Sequence, residues 1–287
     1  MRLITLFFAA LCAVFGFSVE NASYPGGIAV VYLDGLDDLD ANLSIKPVAF
    51  FGEKRLKVIE QDGKFAAIVA ISLDTAPNQN LEISYEIGGE TKKKPFFVGD
   101  KQRKIQRLTI DKKMEALDEQ TLLRVANERK IVSAAIGEFS QDLAGAVEEA
   151  QFGLPLLARI SGNFGARRII NGEARRPHAG TDIAAPLNTV VKAPQNGVAA
   201  LVGSHFYCGN FVLLNHGEGL FTLYCHLESA LVEQEASVQK GEKIALVGKS
   251  GRVTGAHLHW SAALNGVWFD PLLLVSPTDN KKLTMQK

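Results

Sequence analysis

At 287 residues the chain is longer than one compact core usually allows, so one large or two modest domains are expected. Apolar residues make up 47% and charged residues 22%, the balance of a packed globular protein, which excludes a disordered or fibrous chain. Thirty-one basic residues offset thirty-one acidic ones, so charge gives no basis for nucleic-acid binding or for a strongly basic membrane-surface protein.

The chain opens with Met1-Arg2 and then an uncharged apolar run from Leu3 to Phe17. That run falls short of the ~18–20 residues a membrane span needs. A short positive start, an apolar core and small residues at Gly16 and Ser18 instead read as a secretory signal peptide over residues 1–18. Cys12 follows Leu11, which is too bulky for a lipoprotein cleavage site, so no lipid anchor is expected. The exported chain keeps two cysteines, Cys208 and Cys225, in an oxidising compartment.

Residues 24–110 alternate short apolar runs with turn signals, such as Val30 to Leu33 before Asp34-Gly35 and Ala66 to Leu73 before Asn78. Leu81 to Ile87 alternates strictly and ends at Gly88-Gly89. This spacing predicts a small antiparallel β-sandwich of about ninety residues. It contains no histidine or cysteine, so it is either a docking module or a stabilising or masking domain. A helical connector is expected over 111–153, where Leu122, Leu123, Val125, Ile131 and Ile136 recur at near-helical spacing. From 154 to 276 glycine-rich turns separate β-branched runs, which predicts an antiparallel β-domain, followed by a tail over 277–287. The fold class is therefore mainly β, in two domains joined by a helix.

All six histidines lie between His178 and His259, so the chemistry is expected in the C-terminal domain. Two patterns stand out there. His178-Ala179-Gly180-Thr181-Asp182 sets an imidazole and a carboxylate four apart. His257-Leu258-His259 lies in a strand-like run, where alternation puts both histidines on one face and Leu258 on the other. Imidazoles projecting together are costly to bury unless something uses their nitrogens, and a divalent metal does so. Two nitrogens, a carboxylate oxygen and a spare histidine suit a catalytic zinc, which keeps three protein ligands and one open position.

Other motifs fail. Gly248-Lys249-Ser250 ends like a phosphate-binding loop, but Lys243 stands where its first glycine is required. Ser250 is followed two residues later by Arg252, not by the glycine of a nucleophile elbow. Cys225 and His226 are neighbours on a strand and face opposite ways, so they do not form a nucleophile–base pair. Cys208 and Cys225 flank a hairpin, and whether they form a disulfide depends on a register that sequence does not fix.

Residues 161–275 resemble the M23 (lysostaphin/LytM-type) zinc metallopeptidases. The matching text is Pro177-His178-Ala179-Gly180-Thr181-Asp182-Ile183-Ala184-Ala185-Pro186, then Leu223-Tyr224-Cys225-His226-Leu227, then Gly248 through Gly255-Ala256-His257-Leu258-His259-Trp260. The N-terminal half is similar, more loosely, to the β-domain that precedes this peptidase in exported proteobacterial members. The resemblance implies that His178, Asp182 and His259 hold one Zn2+ per chain, with His226 and His257 as the catalytic pair, one assisting the water and the other steadying the oxyanion. His216 falls where relatives often have histidine and either supports the site or serves its turn. His205 matches nothing and is expected at the surface. Ala256 replaces the usual proline before the HxH, which removes no ligand.

Family members cleave peptide cross-links of bacterial peptidoglycan. The resemblance therefore implies a periplasmic endopeptidase acting on stem peptides, at D-alanyl–meso-diaminopimelyl bonds or, failing that, glycyl-glycine bonds. A regulatory or inhibitory periplasmic protein is a second partner to expect. The competing reading is a non-catalytic or self-inhibited wall-binding activator of other hydrolases, against which the complete ligand set argues.

Overall fold

The computed structural model describes residues 18–35, 46–61, 63–109, 117–140 and 151–284. The signal-peptide expectation, with Cys12, lies outside the described residues except at Ser18. Residues 111–116 and 141–150 of the expected connector and 285–287 of the tail also lie outside.

The N-terminal part holds β1 (Ile28–Tyr32), β2 (Val48–Phe51), β3 (Lys54–Gln61), β4 (Lys64–Ala70), β5 (Gln79–Ile87) and β6 (Glu90–Val98) in the order β1-β4-β3-β2-β5-β6. All pairings are antiparallel. The two layers of the expected sandwich share β3. Its residues 54–56 pair with β2 and its residues 57–61 pair with β4, so one strand turns the corner between them. Ala29, Val31, Val58, Ala67, Val69, Ile83 and Tyr85 fill the interior.

The alternate residues of the same strands do different work. Ile28, Val30, Ile59, Ala66 and Ile68 are buried too, packed in one continuous core with Leu220, Leu264, Phe269 and Leu274 of the C-terminal domain. This is why β1 reads IAVVY and β4 ends AAIVA, apolar at every position, whereas β5 alternates and buries mainly Ile83 and Tyr85. At ~25 cal/mol per Å² of apolar surface, such a shared seam is a substantial part of the fold's stability. Polar contacts complete it: Lys57 pairs with Glu218 in the interior, and Lys54 Nζ donates to Asn265 O at 3.0 Å.

Beyond β6, Ile105–Leu108 forms β7, which the sequence places with the N-terminal domain. It pairs in parallel with β9 (Arg167–Ile170), and β9 pairs with β10 (Glu173–Arg175). Helix α1 follows over Glu119–Ile136, started by Asp118, whose carboxylate accepts from Thr121 N at 2.7 Å. Only Val125 and Ile136 of its apolar residues are buried; Leu122, Leu123 and Ile131 are exposed. Among the described residues, no helix is long and apolar enough to cross a membrane.

The C-terminal domain is built on a ten-stranded sheet. Its main path runs β16 (Ser237–Val238), β13 (Gly197–His205), β14 (Gly209–Asn215), β15 (Leu220–Ala230), β18 (Leu258–Leu264), β11 (Thr181–Ile183) and β8 (Ile160–Gly162). The strands β12 (Val190–Lys192), β17 (Lys243–Val247) and β19 (Val267–Phe269) pair alongside, again antiparallel. The stretch expected as a tail carries helix α2 over Pro277–Thr284 and buries Leu283 completely.

Candidate metal centre

Strand pairing places the core of the site. Asp182 on β11 lies directly opposite His259 on β18, and His259 lies opposite Cys225 on β15. Alternation then does what the sequence pattern predicts: Leu258 and Trp260 are fully buried on one face, leaving His257 and His259 on the other. Two glycines make the room. A Cβ at Gly162 would stand 2.4 Å from Asp182 Oδ2, and one at Gly180 would stand 2.6 Å from the His259 ring.

His178 joins from the coil before β11. Its Nε2 lies 3.0 Å from Asp182 Oδ1 and 3.0 Å from His259 Nδ1, and His259 Nδ1 lies 2.8 Å from the same carboxylate oxygen. His178 Nδ1 faces Asn163 O at 3.1 Å, a carbonyl that can only accept, so that nitrogen carries the proton and Nε2 is bare. His259 Nε2 lies 2.9 Å from Ser261 Oγ; with its proton given to that hydroxyl, Nδ1 is bare as well. Two bare nitrogens and a carboxylate oxygen converging on one point repel each other unless a cation lies among them. The donor set therefore fits a divalent metal, with the outer nitrogens fixed as metal-binding histidines usually are.

His226 and His257 stand beside this cluster. The ring centroids of His226 and His257 are 4.8 Å apart, His226 is 5.8 Å from His259, and His257 Nε2 is 3.7 Å from Asp182 Oδ1. Strict alternation along β15 would put His226 with Tyr224, on the face opposite Cys225 and His259. His226 instead has φ +61°, and the β15 pairing shifts register nearby, so the strand breaks its alternation and the ring stands on the site side. The sequence pattern alone gives no hint of that departure. His226 Nδ1 donates to Ser250 O at 3.0 Å and His257 Nδ1 to Gly255 O at 2.9 Å, so each presents its Nε2 as the free nitrogen. Burial, with His259 and His257 close by, pushes the His226 imidazole down to about 3, and it is neutral at pH 7.

The other histidines lie apart from this cluster. His216 is fully buried at the turn between β14 and β15, bonded to Asn196 O and Thr222 Oγ1 at 2.7 Å each. His205 packs its ring 4.3 Å from that of Phe211. Sequence reasoning missed Arg168 on β9, whose Nη2 lies 3.9 Å from the outer oxygen of Asp182, and the supports Asn163, Ser250 and Ser261. Cys208 and Cys225 form a disulfide. It sits against the site, because His226 N donates to Cys208 O at 2.7 Å.

A His–Asp–His donor set that could hold a metal ion thus lies on an antiparallel sheet with two further imidazoles alongside. Residues 176–271 match peptidase family M23, and residues 21–101 match the peptidase family M23 N-terminal domain. The chain is 33% identical over 168 residues to the peptidoglycan DD-endopeptidase ShyA of Vibrio cholerae, covering 56% of this chain and 39% of that protein. It is 42% identical over 120 residues to the DD-carboxypeptidase/endopeptidase Mpg of Neisseria meningitidis, covering 42% of this chain and 28% of that one. The chain thus spans well under half the length of these relatives. A crystal structure described as a peptidase M23 from Pseudomonas aeruginosa superposes with a TM-score of 0.70 at 28% identity, covering 89% of this chain and 96% of that one.

Proposed function

We propose that this protein is a zinc-dependent endopeptidase that hydrolyses peptide cross-links of peptidoglycan, at D-alanyl–meso-diaminopimelyl bonds. The observation that carries the reading is the convergence of His178 Nε2, Asp182 Oδ1 and His259 Nδ1, with the His226 and His257 rings alongside. The DD-endopeptidases among its relatives support the bond class. That substrate and the apolar Leu3–Phe17 run support an exported, periplasmic protein.

His178, Asp182 and His259 would hold one zinc. Zinc supplies a Lewis acid and lowers the pKa of a water it binds to about 7. The chain's own residues do the remaining work. His226 Nε2, bare and neutral, accepts a proton at the site, and Ser250 O fixes the direction in which it points. His257 Nε2 lies on the same side, within reach of a developing oxyanion, and donates there when protonated. The walls of Leu258 and Trp260 behind the ligands keep the site's rear dry.

Substituting each of the five residues tests this assignment. His178→Ala, Asp182→Ala and His259→Ala should lose both zinc, read by elemental analysis, and cleavage of cross-linked muropeptides. His226→Ala and His257→Ala should keep zinc and lose about 10²–10⁴-fold in kcat. Normal turnover by His257→Ala would remove that residue from the mechanism. The complete ligand set is what disfavours the non-catalytic activator reading.

A further inference from the structure

We infer that Arg103 is a positioning residue of the metal centre, tying the turn that holds His178 to the N-terminal domain. The inference rests on reading His178 as a metal ligand.

The three ligands are not held alike. Asp182 and His259 face each other on paired strands. His178 precedes β11 and is held by the turn Asn163–Ala166. Its N donates to Ala166 O at 3.0 Å, its O accepts from Gly165 N at 2.7 Å, and its Nδ1 donates to Asn163 O at 3.1 Å. The direction of Nε2 therefore depends on where that turn sits.

Arg103 holds the turn from the other side. One arm of its guanidinium, Nη1, donates to Phe164 O at 3.2 Å, in the middle of the turn. The other, Nη2, donates to Pro25 O of the N-terminal domain. The guanidinium carbon lies 5.6 Å from the Tyr24 ring and 5.8 Å from the Phe164 ring, one from each domain. The backbone is shaped to admit it. Gly26 and Gly165 both adopt left-handed φ, +79° and +71°, and a Cβ on either would come within 3.0 Å of the guanidinium. Directly after it, Arg167 N donates to Lys104 O at 2.9 Å and β7 pairs with β9, so the same segment also fixes the turn's exit. A planar fork spanning two carbonyls and two aromatic rings is a task for which lysine is no equivalent.

A purely structural staple between domains would look similar, so the test compares Arg103 with a domain contact remote from the turn. Zinc affinity is measured by competition with a chromogenic chelator, and thermal stability by melting, on residues 18–287. The variants are Arg103→Ala, Arg103→Lys and, as the remote contact, Lys57→Met, which breaks the pair with Glu218. Arg103→Ala is expected to weaken zinc binding about 10-fold or more, the size of effect that supports of a ligand usually show. Arg103→Lys, which keeps the charge and folds more surely, should show a smaller loss in the same direction. Lys57→Met should melt lower with unchanged zinc affinity. Wild-type affinity in both Arg103 variants, or an equal loss in Lys57→Met, would overturn the inference while leaving the metal reading intact. An unsubstituted chain that binds no zinc would overturn both.

Discussion

The site's residues are set by backbone contacts as much as by one another. His178, His226 and His257 each lodge one ring nitrogen against a main-chain carbonyl, of Asn163, Ser250 and Gly255, and His259 lodges one against the Ser261 hydroxyl. Each contact selects a tautomer and aims the other nitrogen inward. Ser261→Ala should therefore weaken zinc binding by roughly 10-fold with little change in melting temperature of the metal-free protein. Chelator competition that shows wild-type affinity would contradict that role. Gly180→Ala should be more severe, because its Cβ would collide with both Ser261 Oγ and the His259 ring, which strand pairing prevents from retreating. At this scale the sequence was informative about donors and silent about their supports. His178, Asp182, His257 and His259 stand in spacings that imply a metal, and His226 came from resemblance. Asn163, Ser250 and Gly255 act through carbonyl groups that every residue possesses, so no side-chain pattern announces them.

Among elements, β15 is the one on which the site turns. Its alternation runs from Leu220 to Cys225 and breaks at His226, where φ is +61°. The neighbouring chain holds that break in place: Cys208 is bonded through sulfur to Cys225 and through its carbonyl to His226 N. Cys208→Ser/Cys225→Ser should cost about 3 kcal/mol of stability, as opening a loop of this size does. It should also lower kcat more than zinc affinity, since it frees His226 and leaves the ligands paired. Melting, turnover and zinc titration on one preparation check both, and an unchanged kcat would show that β15 keeps His226 in place unaided. The strands and their turns were largely legible, because alternation and glycine-rich breaks are local signals. The helix was legible only in part. Leu122, Leu123 and Ile131 recur as a buried face would, yet they are exposed, whereas Val125 and Ile136 are buried and Val132 and Ala135 pack against the core beside Ile136. Spacing reports a helix's amphipathicity and not what covers it.

At the scale of the whole molecule the two domains share a core, and β1 and β4 bury both faces to make it. The continuous apolar runs of those strands carried that signal, although nothing in the sequence said which surface they would meet. Beside the seam lies His216, whose imidazole burial pushes down to about 4, with Asn196's carbonyl opposing and Lys57 adding to the shift. The unfolded chain takes up this proton near the ordinary value of 6.5, so between about 6.5 and 4 it binds more protons than the folded one. Stability from this group is whole above about 6.5 and is lost as pH falls toward 4. The melting temperature of metal-free protein should decline over that window, and His216→Gln should decline less steeply; parallel slopes would show that His216 is not responsible.

The most direct test of the account is to incubate residues 18–287 with purified cross-linked muropeptides and follow the products by mass spectrometry, with and without a chelator. Dimers are expected to become monomers, chelation to stop the reaction and added zinc to restore it, with the product masses identifying the D-alanyl–meso-diaminopimelyl bond. Zinc-loaded protein that leaves every cross-link intact would contradict this expectation and favour a wall-binding or activating role instead.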